Sequence, residues 1–316
     1  MVKVFTQVIL LFTLIAIGFI CKKTKLISNN MNQDVSSLLV YVTVPAMIIV
    51  SLNSLTFSQK LLIESLEMLV ISFFLYVFFV LISYLSVKLF RVNGTTRDIF
   101  QFSLVFGNTS FMGYPVAYAV FGEQGLFFMA VCDVIAPLFM WTFGVIVLCR
   151  PHKSVKEHQD LFPSFAMLKQ IINPSIVAVS VGFLLLGTSI ELPVLINDTL
   201  HLLGSLTTPL AMIFIGSILG DMDMKIIFQD MKDIVYCLQR LILLPLVVLA
   251  VLKSVSFAGY LVNIPVLYAA MPVAALTSIL AARYGNDYHL ASKLIFISTF
   301  LCIFTIPGVV WVLYNF

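Results

Sequence analysis

Long apolar blocks alternate with short polar connections along the whole chain. They fall at about 4–21, 34–53, 63–87, 98–121, 125–149, 172–190, 199–219, 234–252, 260–283 and 292–314. Each is close to the roughly 17 to 25 residues that a helix rising about 1.5 Å per residue needs to cross the hydrocarbon core of a bilayer. The pattern predicts an all-α polytopic membrane protein with ten transmembrane helices and no separate soluble domain. The first block is preceded by "MVK" and followed by "CKKTKLISNN" rather than by a small-residue cleavage site, so a retained span is expected and not a secretory signal.

One connection, "CRPHKSVKEHQDLFPSF", is longer and more polar than the rest, and it divides the spans into five and five. Residues 1–150 form a first five-helix repeat, 151–171 a cytoplasmic linker and 172–316 a second repeat. With an offset of 164 and no gaps, residues 18–49 and 182–213 share nine identities in thirty-two, among them Gly18/Gly182, Asp34/Asp198, Thr43/Thr207 and Pro45/Pro209. Apolar composition alone would multiply leucine matches, but not these. An odd number of spans per half sends the second half into the membrane from the opposite side, so the repeats are inverted. Secondary transporters use that architecture to open a central site alternately to each face.

Two blocks are interrupted. "GNTSFMGYP" (107–115) breaks the fourth with glycine, polar residues and a proline, and "YAAMPVAALTS" (268–278) breaks the ninth. Non-helical backbone at membrane depth survives only where it is buried in protein or lines a wet cavity. Pro115 lacks a donor and pushes Tyr114 out of the helical region, so the break is expected just before it. Two interrupted helices in corresponding spans should cross. Their restarted halves would then aim two N-termini, each carrying about half a positive charge, at one anion site. The candidate substrate-binding residues are Asn108, Thr109, Ser110, Gly113, Tyr114, Pro115, Pro272, Thr277 and Ser278.

Composition agrees with the bilayer reading: 61% of 316 residues are hydrophobic, 10% are charged and the mean hydropathy is +1.08. Lysine and arginine add a direction. With the N-terminus outside, fourteen of the eighteen fall in connections on the cytoplasmic side, which makes both termini extracellular. The net charge of +3 thus reflects leaflet bias and not affinity for nucleic acid. The five cysteines and four histidines show no metal-ligand spacing, so neither a metal nor another cofactor is expected.

Acids inside apolar blocks are candidates for coupling. Asp133 in "FFMAVCDVIAPLF" lies deepest, and it either carries a coupling proton or bonds a neighbouring helix while neutral. Glu64 and Glu67 share a face near the outer end of the third span; they are expected to reach the headgroups, or to couple if they overlie the cavity. Thr43 and Thr207, the repeat-related hydroxyls, join Asp133 and Glu64 as polar-cavity candidates. Arg240 is expected to snorkel toward the cytoplasmic surface.

The stretches "FGNTSFMGYPVAYAVFGEQGL" and "AAMPVAALTSILAARYGNDYHLAS…STFLCIFTIP" resemble the auxin efflux carrier family, in the bacterial branch described as malate permease-like. The resemblance covers the whole chain. It implies ten helices with external termini, a proline crossover of helices 4 and 9 at Pro115 and Pro272, a substrate-facing Asn108, a homodimer, and transport of small organic acids such as malate or auxin-like acids. The linker is far shorter than the cytoplasmic loop of many plant members. An enzyme is not expected, since HExxH, GxGD and GxSxG are absent. The alternatives are a sodium-coupled organic-anion symporter of the bile-acid type, with a cage of Asn, Gln and Glu at both crossings, and a membrane sensor that does not transport.

Overall fold

A computed structural model of the chain describes residues 2–55, 58–150, 174–188, 192–221 and 230–315. The linker assigned to 151–171 lies outside them. Every element among the described residues is helical, and six helices are long and apolar enough to span a bilayer.

Helix α1 (Val2–Lys23) ends in Lys22 and Lys23, cations that favour a helix C-terminus. The next apolar block is α2 (Asn29–Leu38), a π-helical turn at Leu39–Thr43 and α3 (Val44–Asn53), which run on as one helix with Pro45 just after the π-turn. Helix α4 (Gln59–Leu89) is capped by the Ser58 hydroxyl.

Helix α5 (Gly94–Val105) stops at Phe106, whose backbone is extended. A π-helical turn at Thr109–Gly113 then leads into α6 (Tyr114–Asp133). Within α6, Gly122 takes φ 68° and ψ −156°, a conformation strained for any side chain, so one residue makes the reversal expected between the fourth and fifth blocks. The fifth block finishes as α7 (Ala136–Phe139), a π-turn at Met140–Gly144 and α8 (Val145–Leu148).

The second half contains α9 (Pro174–Thr188), α10 (Val194–Ser205), α11 (Thr207–Asp221), and α12 (Met231–Leu238), which runs through a π-turn at Gln239–Leu243 into α13 (Leu244–Ser254). Helices α14 (Tyr260–Ala269) and α15 (Leu276–Arg283) are separated by non-helical backbone, and α16 (Tyr288–Asn315) completes the described chain.

The deepest packing surrounds the two interruptions. Phe100, Phe102, Phe106, Met271, Val273 and Phe296 are essentially inaccessible, whereas the outward faces of α1 and α4 leave leucine, isoleucine and phenylalanine exposed. This is the distribution of a protein solvated by lipid, with its unusual backbone shielded inside.

Candidate substrate site at a helix crossing

The interruptions of the fourth and ninth blocks meet. Gly107 and Val273 pair as a single antiparallel bridge: the Asn108 N–H donates to the Pro272 carbonyl at 2.8 Å, and the Ala274 N–H donates to the Phe106 carbonyl at 3.1 Å. The Val273 N–H donates to the Ser298 hydroxyl at 3.0 Å. Each unwound strand thus satisfies the other, which is what permits two breaks at one depth in lipid.

The break in the first half lies at Phe106–Asn108, not immediately before Pro115. Pro115 lies inside the helix that restarts at Thr109, just after the π-turn in which the Tyr114 N–H donates to the Thr109 carbonyl, so it does not mark the start of the restarted half. The chain departs from the helix earlier because Gly107 is the only residue there without a side chain. A Cβ on Gly107 would lie 2.7 Å from an Arg240 guanidinium nitrogen and 3.3 Å from the Met271 Cβ.

Arg240 does not snorkel. It is 1% exposed and lies behind the crossing, where Nε donates to the Met271 carbonyl at 3.0 Å and Nη1 to the carbonyls of Ser103, at 2.7 Å, and Leu104. Those carbonyls belong to the C-terminal ends of the two broken helices, the groups that helix geometry leaves without partners. One guanidinium therefore caps both ends, each carrying about half a negative charge.

The opposite ends face a cavity of about 970 Å³. Thr109 and Leu276, which begin the restarted halves, both line it, together with Ser110, Asp133, Tyr76, Tyr268 and, at its rim, Arg283. Thr109 is 3% exposed, and its hydroxyl has no partner of hydrogen-bonding geometry although Asp133 and Tyr268 are close by. Asp133 is held on both oxygens: Tyr114 donates to Oδ2 at 2.8 Å and Tyr268 to Oδ1 at 2.7 Å. The Tyr76 and Tyr268 hydroxyls are 2.5 Å apart. Since Tyr268 spends its one proton on Asp133, Tyr76 must be the donor to Tyr268.

Of the residues named from sequence, Thr109, Ser110 and Asp133 come together in the cavity, and Tyr114 reaches it through Asp133. Asn108, Gly113, Pro115 and Pro272 are buried in the crossing and do not line the cavity. Thr277 is buried with an unpartnered hydroxyl, and Ser278 donates to the Ala275 carbonyl at 3.3 Å. Glu64 lies elsewhere, 3.7 Å from Lys60 and one helical turn along α4. Thr43 and Thr207 are fully buried with unpartnered hydroxyls, outside the cavity.

Tyr76, Tyr268 and Arg283 were not foreseen. The available signal was a tyrosine at mid-span, which must place its hydroxyl on a partner when buried. Asp98 was also passed over: it is fully buried and pairs with both Arg97 and Arg150 at 3.0 Å.

A cavity where two unwound helices meet, enclosed by long apolar helices, fits a multi-pass membrane protein. The chain belongs to the membrane transport protein family, of auxin efflux carrier type, whose pattern matches residues 3–310. It is similar to an uncharacterized transporter of Methanocaldococcus jannaschii, 27% identical over 313 residues covering 98% of each chain. It is also similar to an uncharacterized transporter of Methanothermobacter thermautotrophicus, 30% identical over 203 residues, 63% of each chain.

Proposed function

We propose that this chain is a secondary transporter that moves small organic anions across the cell membrane by alternating access, with the carboxylate bound at the crossing. The observation that carries this reading is the pairing of the two broken helices. It directs two N-terminal ends, together worth about one positive charge, into one cavity beside the unpartnered Thr109 hydroxyl. Arg283 at the rim adds long-range attraction for an anion.

Ten spans in two inverted repeats supply the motion. In support, α1 packs on α11 and α9 packs on α3, the same contact in repeat-related positions: Gly18 approaches the Ile213 backbone, and its counterpart Gly182 approaches Leu52. A second cavity, of about 460 Å³, is lined by Ser205 and Pro209, the counterparts of Tyr41 and Pro45 in the larger one. Its surroundings are tied together by the Ser54 hydroxyl on the Glu123 carboxylate and by Asn53 on Asn197 at 3.2 Å. We read the larger cavity as the access on the cytoplasmic side and the smaller as its external counterpart.

This orientation puts both termini outside. A cysteine added after Phe316 should react with an impermeant reagent on intact cells, and protection of that cysteine while a cytoplasmic-loop cysteine is labelled would reverse the sides.

The decisive experiment is flux in sealed vesicles over a panel of mono- and dicarboxylates and their amides, with and without sodium. Carboxylates should move and compete; the matching amides should compete on the order of a hundredfold or more weakly, because up to about 2 kcal/mol is lost per helix end. Equal competition by acid and amide would remove the anion site. Strict sodium dependence would favour the bile-acid-type symporter, and binding without flux a sensor.

A further inference from the structure

We infer that Asp133 and its tyrosine chain make this a proton-coupled carrier that takes up one proton with each monoanion bound; the inference rests on the anion site proposed above. It starts from a count of charge at the crossing. The two C-terminal ends, together about one negative charge, are neutralised by Arg240, which touches both. The two N-terminal ends, together about one positive charge, face the cavity, and Asp133 faces it too. An ionised Asp133 therefore balances the empty cavity. A bound organic anion takes over that role and leaves Asp133 as a surplus negative charge in the same enclosure.

At a separation of roughly 6 Å and an effective dielectric constant of about 20, two like charges repel enough to weaken binding on the order of a hundredfold. Protonation of Asp133 removes that repulsion, so anion and proton bind together. The other titratable or charged groups around Asp133 do not substitute for it. Tyr114 and Cys132 lie on its own helix, Tyr76 on α4, Tyr268 on α14 and Tyr41 on the first π-turn, and none of them is a carboxylate. Arg240 is bonded to backbone carbonyls behind the crossing, and Arg283 lines the cavity. The chain Tyr76–Tyr268–Asp133 gives the proton a hydrogen-bonded route: Tyr268 passes its proton to Asp133 and takes that of Tyr76, and Tyr76, which lines the cavity, takes one from hydronium entering there.

The test uses the purified full chain in vesicles containing a pH-sensitive dye, with the membrane potential clamped. Radiolabelled D-gluconate and D-glycerate, hydrophilic monoanions whose free acids cross a bilayer slowly, serve as probes. For the wild type, net uptake should bring protons into the lumen in fixed ratio to label, and an acidic exterior should drive accumulation. In Asp133→Asn, the anion counterflow that is measured should carry no protons, and pH-driven accumulation should be lost. Tyr268→Phe, which keeps the acid and cuts the chain, should slow net coupled uptake at least tenfold more than counterflow. Counterflow without proton movement in the wild type, or pH-driven accumulation at wild-type level in Asp133→Asn, would overturn the coupling while leaving anion transport intact. Absence of counterflow for both probes in the wild type would remove the anion-transport reading and the coupling with it.

Discussion

Gly107→Val is expected to abolish transport, and Gly107→Ala to reduce it by roughly ten- to a hundredfold, with the chain still inserted in the membrane. Even the single methyl of alanine would sit 2.7 Å from Arg240 Nη2. A guanidinium at the end of a free side chain would swing away at little cost. This one cannot, because its other nitrogens are bonded to carbonyls of Ser103, Leu104 and Met271. The clash must instead separate the strands, and overpacking of this kind costs about 1–3 kcal/mol for small groups. Valine adds two further methyl groups and a stiff, β-branched side chain in the same gap. The Asn108 to Pro272 and Ala274 to Phe106 bonds would then lengthen or break, leaving backbone groups unsatisfied at membrane depth. The measurement is initial-rate flux normalised to reconstituted protein. Wild-type flux in Gly107→Val would show that the close crossing is not required for function.

The contrast between Gly107 and Pro115 shows how far the sequence could be read. That two apolar blocks break and meet was legible, because glycine, polar residues and proline are expensive in lipid and occurred at matching places in the two halves. The location of the break was not. Proline marks where a helical N–H is absent, but the π-turn before Pro115 carries the helix past it, and the real departure falls at the residue that lacks a side chain. Asn108 was attractive as a polar residue in the break, yet in the structure it belongs to the buried crossing itself, and the hydroxyls one and two residues later line the cavity. Asp133 was legible as an expensive group; its tyrosine partners come from helices far apart in sequence, and no local pattern joins Tyr76, Tyr114 and Tyr268. Arg240 was read from its nearness to a span end. Its depth is set by what it satisfies, and those carbonyls become available only once the two breaks are brought together.

Arg240→Met should lower stability by about 3–5 kcal/mol and reduce transport at least tenfold, whereas Arg240→Lys should recover part of the stability. Methionine approximately fills the aliphatic stem but donates nothing, so the carbonyls of Ser103, Leu104 and Met271 lose their buried donor. Each unsatisfied buried group costs about 1–3 kcal/mol, offset in part because a buried charge is no longer held out of water. Lysine keeps the charge but carries it at one point, and it cannot span two helix ends as the planar guanidinium does. The neutral variant also changes the field in the cavity, since the two C-terminal ends would stand unneutralised behind the crossing. Anion affinity should therefore fall more than the affinity for a matching amide, a difference that loss of folded protein alone would not produce. Thermal unfolding in detergent reports the first effect and competition by acid and amide the second. Wild-type melting and undiminished preference for the acid in Arg240→Met would show that the half-helix ends find their partners elsewhere.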